Sequence, residues 1–201
     1  VDVIFTADPR IARKARHVPI ITYEERLELA ANGAKVRHLR CVEYARRSGT
    51  RLRVRSSFTD SLGTLVTTAE ELEGVAVEAP IISGVAHDLG EAKITIAGVR
   101  DEPGRAALVF EILATADINI DMIVQNVSAA GITDITFTLP MSDGDKAMAV
   151  LRGNKNEIGY ETLTYDDQVA KVSLVGAAMR SHPGVSATTF RALADAGINV
   201  E

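Results

Sequence analysis

The chain has 201 residues, enough for one large domain or two small ones, and no apolar run approaches the roughly 20 residues a membrane-spanning helix needs. Its residues are 46% hydrophobic and 24% charged, with no Trp, which describes a globular protein whose core is built from Ala, Val, Ile and Leu. A net charge of −5 argues against wholesale binding to nucleic acid or a membrane surface, and a single cysteine, Cys41, excludes an intrachain disulfide framework and a multi-cysteine zinc site and fits a reducing cytoplasm.

Val1–Phe5 is a short apolar run, and Thr6-Ala-Asp-Pro-Arg10 after it is a turn signal. Thr22-Tyr-Glu-Glu25 has the spacing of a capping box and opens a predicted helix that carries Leu27, Leu29 and Ala30 and stops near Asn32-Gly33. Lys35–Arg47 reads as a second helix, with Val36, Leu39 and Val42 along it. Arg51-Leu-Arg-Val-Arg55 alternates strictly and predicts a strand with its arginines on one face. Ser56–Gly63 turns, and Thr64–Val66 begins another strand. Residues 67–80 carry Glu70, Glu71, Glu73 and Glu78 with no basic residue and end at Pro80, the pattern of a linker. Ile81–Ala86 predicts a further strand.

The most informative feature comes next. Residues 101–121 (DEPGRAALVFEILATADINID) align without a gap on residues 181–201 (SHPGVSATTFRALADAGINVE), with nine of the positions identical. The strands before them match as well, Ala92–Gly98 against Ala170–Gly176. A copied strand–turn–helix unit places function in its loops. Pro103 and Pro183 suit the first turn of a helix, where no N–H is needed. Gly104 and Gly184 leave the helix-start N–H groups open to a ligand. Ala107, Phe110, Leu113 and Ala114 form a buried stripe at three- and four-residue spacing. In the first copy the order is strand, helix, strand (118–124), strand (135–139), helix (145–151), strand (161–165). That is βαββαβ, a ferredoxin-like unit. The second copy stops at Glu201, before its remaining strands and helix, so the chain is read as a piece cut at both ends with the second module truncated.

A βαββαβ module with Asp-x-Pro-Gly before its first helix and Ile-Asn-Ile after it resembles the ACT domain, the small-molecule sensor of amino-acid metabolism. Further motifs extend the likeness: Phe5-Thr-Ala-Asp-Pro-Arg10, Val42-Glu-Tyr-Ala-Arg46, Arg53-Val-Arg-Ser-Ser57, Asn119-Ile-Asp-Met122, Gln125-Asn-Val-Ser128, Thr133–Thr138, Tyr165-Asp-Asp167 and Lys171–Gly176. In this order and over the whole chain they resemble aspartokinase of the lysine- and threonine-controlled actinobacterial type. The resemblance implies an α/β (α+β) chain: residues 1–66 are the end of an amino-acid kinase domain and 67–80 a linker. Residues 81–168 are then a first ACT region, with strand 81–87 open to pairing with the second unit, and 169–201 an incomplete second ACT domain.

The family's reaction phosphorylates the β-carboxylate of aspartate with Mg-ATP. Its catalytic Lys-Phe-Gly-Gly segment is not in these 201 residues, so this piece is expected to be inactive alone. The resemblance assigns ATP contacts to Phe5, Thr6, Ala7, Asp8, Pro9, Arg10 and Lys35, with Arg10 as the phosphate partner because its fork matches oxygens bidentately. Val3 follows Asp2 where the family usually has glycine, a branched side chain that narrows the adenine side unless its φ stays negative. On the regulatory side Asp101 is implied to meet an effector's α-amino group. Backbone groups of Ile118, Asn119 and Ile120 are implied to bind its carboxylate and amine, and Gln125 to close over it. Val185, Ser186, Asn199 and Val200 occupy the matching places in the second copy. The implied effectors are L-lysine and L-threonine, and Ser181 in place of Asp101 makes the two sites unlike. Assembly through ACT sheets, as a homo-oligomer or with a second kind of subunit, is the family's expectation.

Other readings stay beside these. From the residues alone, Thr6–Arg10 is a turn and the Asn residues are strand-edge amides. Cys41 lacks metal-ligand partners and is read as packing. His17, His38 and His87 are scattered, and only His182 lies in a repeat loop. Asp166-Asp167 is read as a solvated turn, and the basic stretch Lys35–Arg55 has only Tyr44 for stacking, which opposes a nucleic-acid role. The rival functions are a non-catalytic regulatory subunit, for which residues 1–66 serve no purpose, and an ACT sensor of another pathway.

Overall fold

The computed structural model describes residues 3–33, 39–73, 81–127, 131–176, 179, 182 and 184–200. In chain order the strands are β1 (Ile20–Thr22), β2 (Leu52–Val54), β3 (Thr64–Thr67), β4 (Gly84–Asp88), β5 (Glu91–Arg100), β6 (Ile123–Val127), β7 (Ile132–Pro140), β8 (Thr162–Asp166) and β9 (Lys171–Val175). The helices are α1 (Tyr23–Ala31), α2 (Leu39–Arg47), α3 (Ala69–Glu73), α4 (Arg105–Thr115), α5 (Gly144–Gly153), α6 (Lys155–Ile158) and α7 (Val185–Asp195). Two compact units result, residues 1–87 together with 172–201, and residues 88–171.

In the first unit β3 is the centre of a three-stranded sheet, parallel to β1 and antiparallel to β2. The Thr22–Glu25 capping box forms as its spacing predicts: Thr22 Oγ1 accepts from the Glu25 N–H at 3.2 Å, and the Glu25 carboxylate accepts from the Thr22 N–H at 3.1 Å. The other oxygen of this buried carboxylate accepts from the Ser83 hydroxyl. β4 and β9 pair as a separate two-stranded sheet, yet Ala86 and Val175 from these strands join the same core as Ile4, Ile21, Leu29, Val42 and Val66.

The second unit is a four-stranded antiparallel sheet in the order β6-β7-β5-β8, built by the sequence β5-α4-β6-β7-α5-β8. Along β5, Ala92, Ile94 and Ile96 are buried and Lys93, Thr95 and Ala97 half-exposed, the period of two. The next buried residue is Val99, an odd step. The register against β7 shifts between Ile96 and Val99, where Gly98 takes φ +77°, and this bulge returns Val99 to the core. Val109 and Leu113 of α4 and Leu151 of α5 close over Ile135, Phe137 and Leu139 of β7, all with no exposed surface.

Several predicted bounds move. α4 starts at Arg105, so Pro103 lies outside its first turn, and Gly104 is the N-cap at φ +93°; Gly184 does the same for α7 at φ +104°. A Cβ on either glycine would meet nothing within 4 Å. Both glycines are therefore required by backbone conformation. Residues 118–122 are not strand; β6 begins at Ile123, because the Ile118 N–H is spent on the Leu113 carbonyl (3.1 Å) in closing α4. The strand predicted from Ile81 begins at Gly84, and residues 69–73 of the predicted linker form α3. Cys41 is exposed and does not pack. Residues 34–38, at the start of the second predicted helix, lie outside the described residues.

The repeat is visible in three dimensions, down to the turn that ends each helix. Asp117 (φ +54°) and Gly197 (φ +71°) are equivalent left-handed positions, each donating its N–H to the residue three before it at 2.9 Å. A Cβ makes that conformation costly. Asp117→Gly is therefore expected to stabilise the chain by about 0.5–1 kcal/mol, and Gly197→Asp to destabilise it by a similar amount. Urea-unfolding midpoints of the two variants check both signs.

Candidate functional site

Two groups of candidate residues stand out, one in each unit. In the first unit, residues 4–6 run antiparallel to 16–18: Phe5 bridges His17, and the Val18 N–H donates to the Ile4 carbonyl at 2.8 Å. Thr6 is held at three atoms. Its N–H donates to the Arg16 carbonyl (2.9 Å), its Oγ1 accepts from the Arg16 N–H (3.0 Å), and its carbonyl accepts from the Val85 N–H of β4 (2.7 Å). The buried Thr64 hydroxyl accepts from the Ile4 N–H (3.0 Å) and donates to the Val18 carbonyl (2.7 Å). Its one proton is thus committed, so His17 Nε2 at 3.2 Å must be the protonated nitrogen that donates to it.

From this clamp Asp8-Pro9-Arg10 projects as a turn. The Asp8 carbonyl accepts from Ile11 (3.1 Å) and Ala12 (2.8 Å), and its Oδ1 accepts from the Arg10 N–H (2.9 Å). The Arg10 guanidinium donates to the same carboxylate from Nε (3.0 Å to Oδ1) and Nη2 (2.7 Å to Oδ2). The side-chain hydrogen bond from Arg10 is the largest cause holding the Asp8 carboxyl at about 2, well below the usual 3.8. Phe5 to Arg10 therefore form one continuous surface element. Lys35 lies outside the described residues. Val3 is buried, and Asp117 is the only non-glycine at positive φ among the described residues, so Val3 keeps the ordinary backbone its branched side chain requires.

In the second unit a cavity of about 410 Å³ opens at the N-terminus of α4, lined by Arg100–Ala106, Gln125 and Thr133. It brings Asp101 together with Gln125 from β6. Gln125 Nε2 donates to the buried Thr133 hydroxyl at 3.3 Å, which turns to the Asn126 carbonyl, also 3.3 Å. Arg105 is held by Glu102 (3.0 Å) and by the Glu157 carbonyl (3.1 Å). Ile118, Asn119 and Ile120 do not line this cavity. The Ile118 N–H is already used, whereas among the described residues the Asn119 and Ile120 backbone groups have no hydrogen-bond partner.

Just beyond them Asp121 pairs with Lys171, whose Nζ also lies 3.6 Å from Glu91. Burial pulls this ammonium's pKa down, but the hydrogen bond and charge of Asp121, with Glu91, outweigh it and leave the pKa raised.

In the second copy Val185 and Ser186 begin α7, and Asn199 and Val200 follow its end, both exposed. Ser181 lies outside the described residues. α7 has no buried residue: Phe190 is 57% exposed, whereas its counterpart Phe110 packs edge-on against Phe137 at 5.9 Å.

Thr133, Arg105 and the Lys171 cluster were not predicted as functional. Period-two alternation places Thr133 on the same sheet as Gln125, but Lys171 meets partners 50 and 80 positions away that no local pattern connects.

Comparison with known proteins finds two families along the chain. Residues 1–56 match the amino acid kinase family, and residues 94–154 and 172–201 match the ACT domain. The aspartokinase of Mycolicibacterium smegmatis is 54% identical and that of Mycobacterium tuberculosis 55% identical, each over the whole of this chain and 48% of the relative. The chain thus spans about half the length of the relatives it matches. Among solved structures, Clostridium acetobutylicum aspartate kinase superposes with a TM-score of 0.85 at 21% identity over 100% of this chain and 46% of that one, a likeness of fold. E. coli aspartokinase III with aspartate and ADP (R-state) gives a TM-score of 0.75 at 26% identity, over 96% and 42% of the two chains. The same enzyme with lysine and aspartate (T-state) gives 0.67 at 26%, over 88% and 38%.

Kinase-type sequence followed by ACT sequence defines a chain that joins part of an amino acid kinase to a regulatory region. Its likeness along the full length is to aspartokinases, and the chain belongs to that family.

The Asp8–Arg10 pairing has a pH consequence. A depressed carboxylate pKa contributes stability that is complete above the ordinary 3.8 and is lost as pH falls through about 2. Carbon-detected NMR titration should place the Asp8 carboxyl midpoint near 2, and Arg10→Ala should return it toward the ordinary range.

Proposed function

We propose that this chain is the nucleotide-side and regulatory part of an aspartate kinase. In the complete enzyme a β-carboxylate oxygen of L-aspartate bonds to the γ-phosphorus of ATP, the bond to ADP breaks, and 4-phospho-L-aspartate forms, the first step toward lysine, threonine and methionine. Phe5, Thr6, Ala7, Asp8, Pro9 and Arg10, with Lys35, contact the nucleotide in this reading, and Arg10 meets a phosphate. The resemblance brings Mg²⁺ with the ATP. Among the described residues no three carboxylate, imidazole or thiol groups converge on one point, so they supply no metal site of their own and no step is assigned to the ion.

The regulatory reading is carried by one observation: Asp101 and Gln125, from separate elements, line one cavity at the start of α4. An amino-acid zwitterion needs a carboxylate for its ammonium and donors for its carboxylate, and an amide side chain with a helix N-terminus provides the second. L-lysine and L-threonine are the effectors, and either inhibits by binding one arrangement of the enzyme better than another. The kinase-family match of residues 1–56 favours a kinase polypeptide over a free-standing regulatory subunit, although the regulatory subunit from Thermus thermophilus also superposes (TM-score 0.57, 38% identity, 61% of this chain and 80% of that one).

Assembly follows from an exposed edge. β6 ends the sheet and leaves Met122, Ile123 and Val124 at 50%, 51% and 40% exposure, a strand that pairing with another ACT unit would cover. No helix among the described residues is long and apolar enough to cross a membrane.

Calorimetric titration with lysine and threonine, separately and together, tests the regulatory reading. Saturable binding is expected, with Asp101→Ala weakening it by roughly 10- to 100-fold, the range of a hydrogen bond to a charged group. Absence of heat with either amino acid from a folded chain removes the lysine/threonine assignment.

A further inference from the structure

We propose that Asp8 is a positioning residue that presents Arg10 to a nucleotide phosphate, an inference resting on the nucleotide reading above. A guanidinium has five N–H donors. Asp8 engages its side-on edge, Nε at 3.0 Å and Nη2 at 2.7 Å. Both N–H groups of Nη1 and the second of Nη2 are left without an acceptor among the described residues, and the Arg10 side chain is 88% exposed. The unused end-on edge is therefore held toward solvent in one orientation, with a spacing that suits two oxygens of a phosphate.

Asp8 is itself fixed. Its side chain is 18% exposed, its Oδ1 also accepts from the Arg10 N–H, and its carbonyl accepts from Ile11 and Ala12. Two residues earlier, Thr6 is tied at its N–H, carbonyl and hydroxyl. An arginine on an unconstrained turn would have to freeze its long side chain when it captured an anion, at a cost in affinity. Here the freezing has already occurred, and the carboxylate that enforces it sits on the opposite edge from the one a phosphate would use. Competition, in which phosphate first displaces Asp8, would require the carboxylate on the end-on edge.

The two roles predict opposite signs for Asp8→Asn, which keeps an acceptor for the Arg10 backbone but loses the charge that grips the guanidinium. Calorimetry of the full chain should show the Kd for ADP rising about 3- to 10-fold in Asp8→Asn, a larger loss than for adenosine, which has no phosphate for Arg10 to meet. The Arg10 Nε–H resonance, slow to exchange in the wild type, should broaden away in the variant. Equal or tighter ADP binding by Asp8→Asn, or an equal loss for adenosine, overturns the positioning role while leaving the nucleotide reading intact. Failure of the wild-type chain to bind ADP overturns both.

Discussion

Strand β4 has to satisfy three neighbours at once: it pairs with β9, it places Ala86 in the core shared with Ile21 and Leu29, and its Val85 N–H donates to the Thr6 carbonyl. Gly84 is what lets it come so near, since a Cβ there would sit 2.9 Å from the Leu29 side chain and 3.4 Å from the Thr6 carbonyl. Through this strand the ACT-type sequence and the kinase-type sequence of the first unit are one packed body. A shift of β9 would reach the Thr6–Arg10 turn through its pairing with β4, the Val85–Thr6 backbone hydrogen bond and a common core.

Much of this was legible from the sequence because the signals were local. The capping box at Thr22–Glu25, the alternation of β5 and the duplicated Pro-Gly turns each have a short-range cause. Motif order along the chain also showed the kinase and ACT families. What was not legible came from competition between elements. Ile-Asn-Ile looks like a strand start, but the need to close α4 takes the Ile118 N–H, and β6 is displaced to Ile123. Gly104 reads as a helix start without a side chain, and its φ of +93° adds a backbone reason that no local pattern gave. Cys41 lay on a helix of the expected kind but on its exposed side.

The two copies also show how far a repeat determines structure. Their helices start and end with the same backbone turns at the same spacing, so local sequence is enough for that. Burial is not local. Val109, Phe110 and Leu113 of α4 pack against β5 and β7 while Ala107 and Ala114 of the expected stripe are exposed, and on α7 Phe190, like Ile198 just beyond the helix, is more than half exposed. Sequence divergence between the copies, Asp101 against Ser181 and Arg105 against Val185, adds chemical difference to that difference in surroundings.

The ion pair between Lys171 and Glu91 joins the two ends of the second unit, residues 88–171, and this bears on the order in which the molecule assembles. Residues 88–171 are contiguous, so their contacts form without waiting for the rest of the chain. β4 and β9, by contrast, lie on either side of that whole segment and must find each other across it. Once the intervening unit has folded, its two ends are side by side, and an ~80-residue loop has become one of a few residues. On a logarithmic loop-closure scale that removes roughly 2–3 kcal/mol from the entropy of pairing β4 with β9. The regulatory module thus acts as the splint on which the remainder of the chain is closed, and its folding should precede, and speed, that of the unit into which it is inserted.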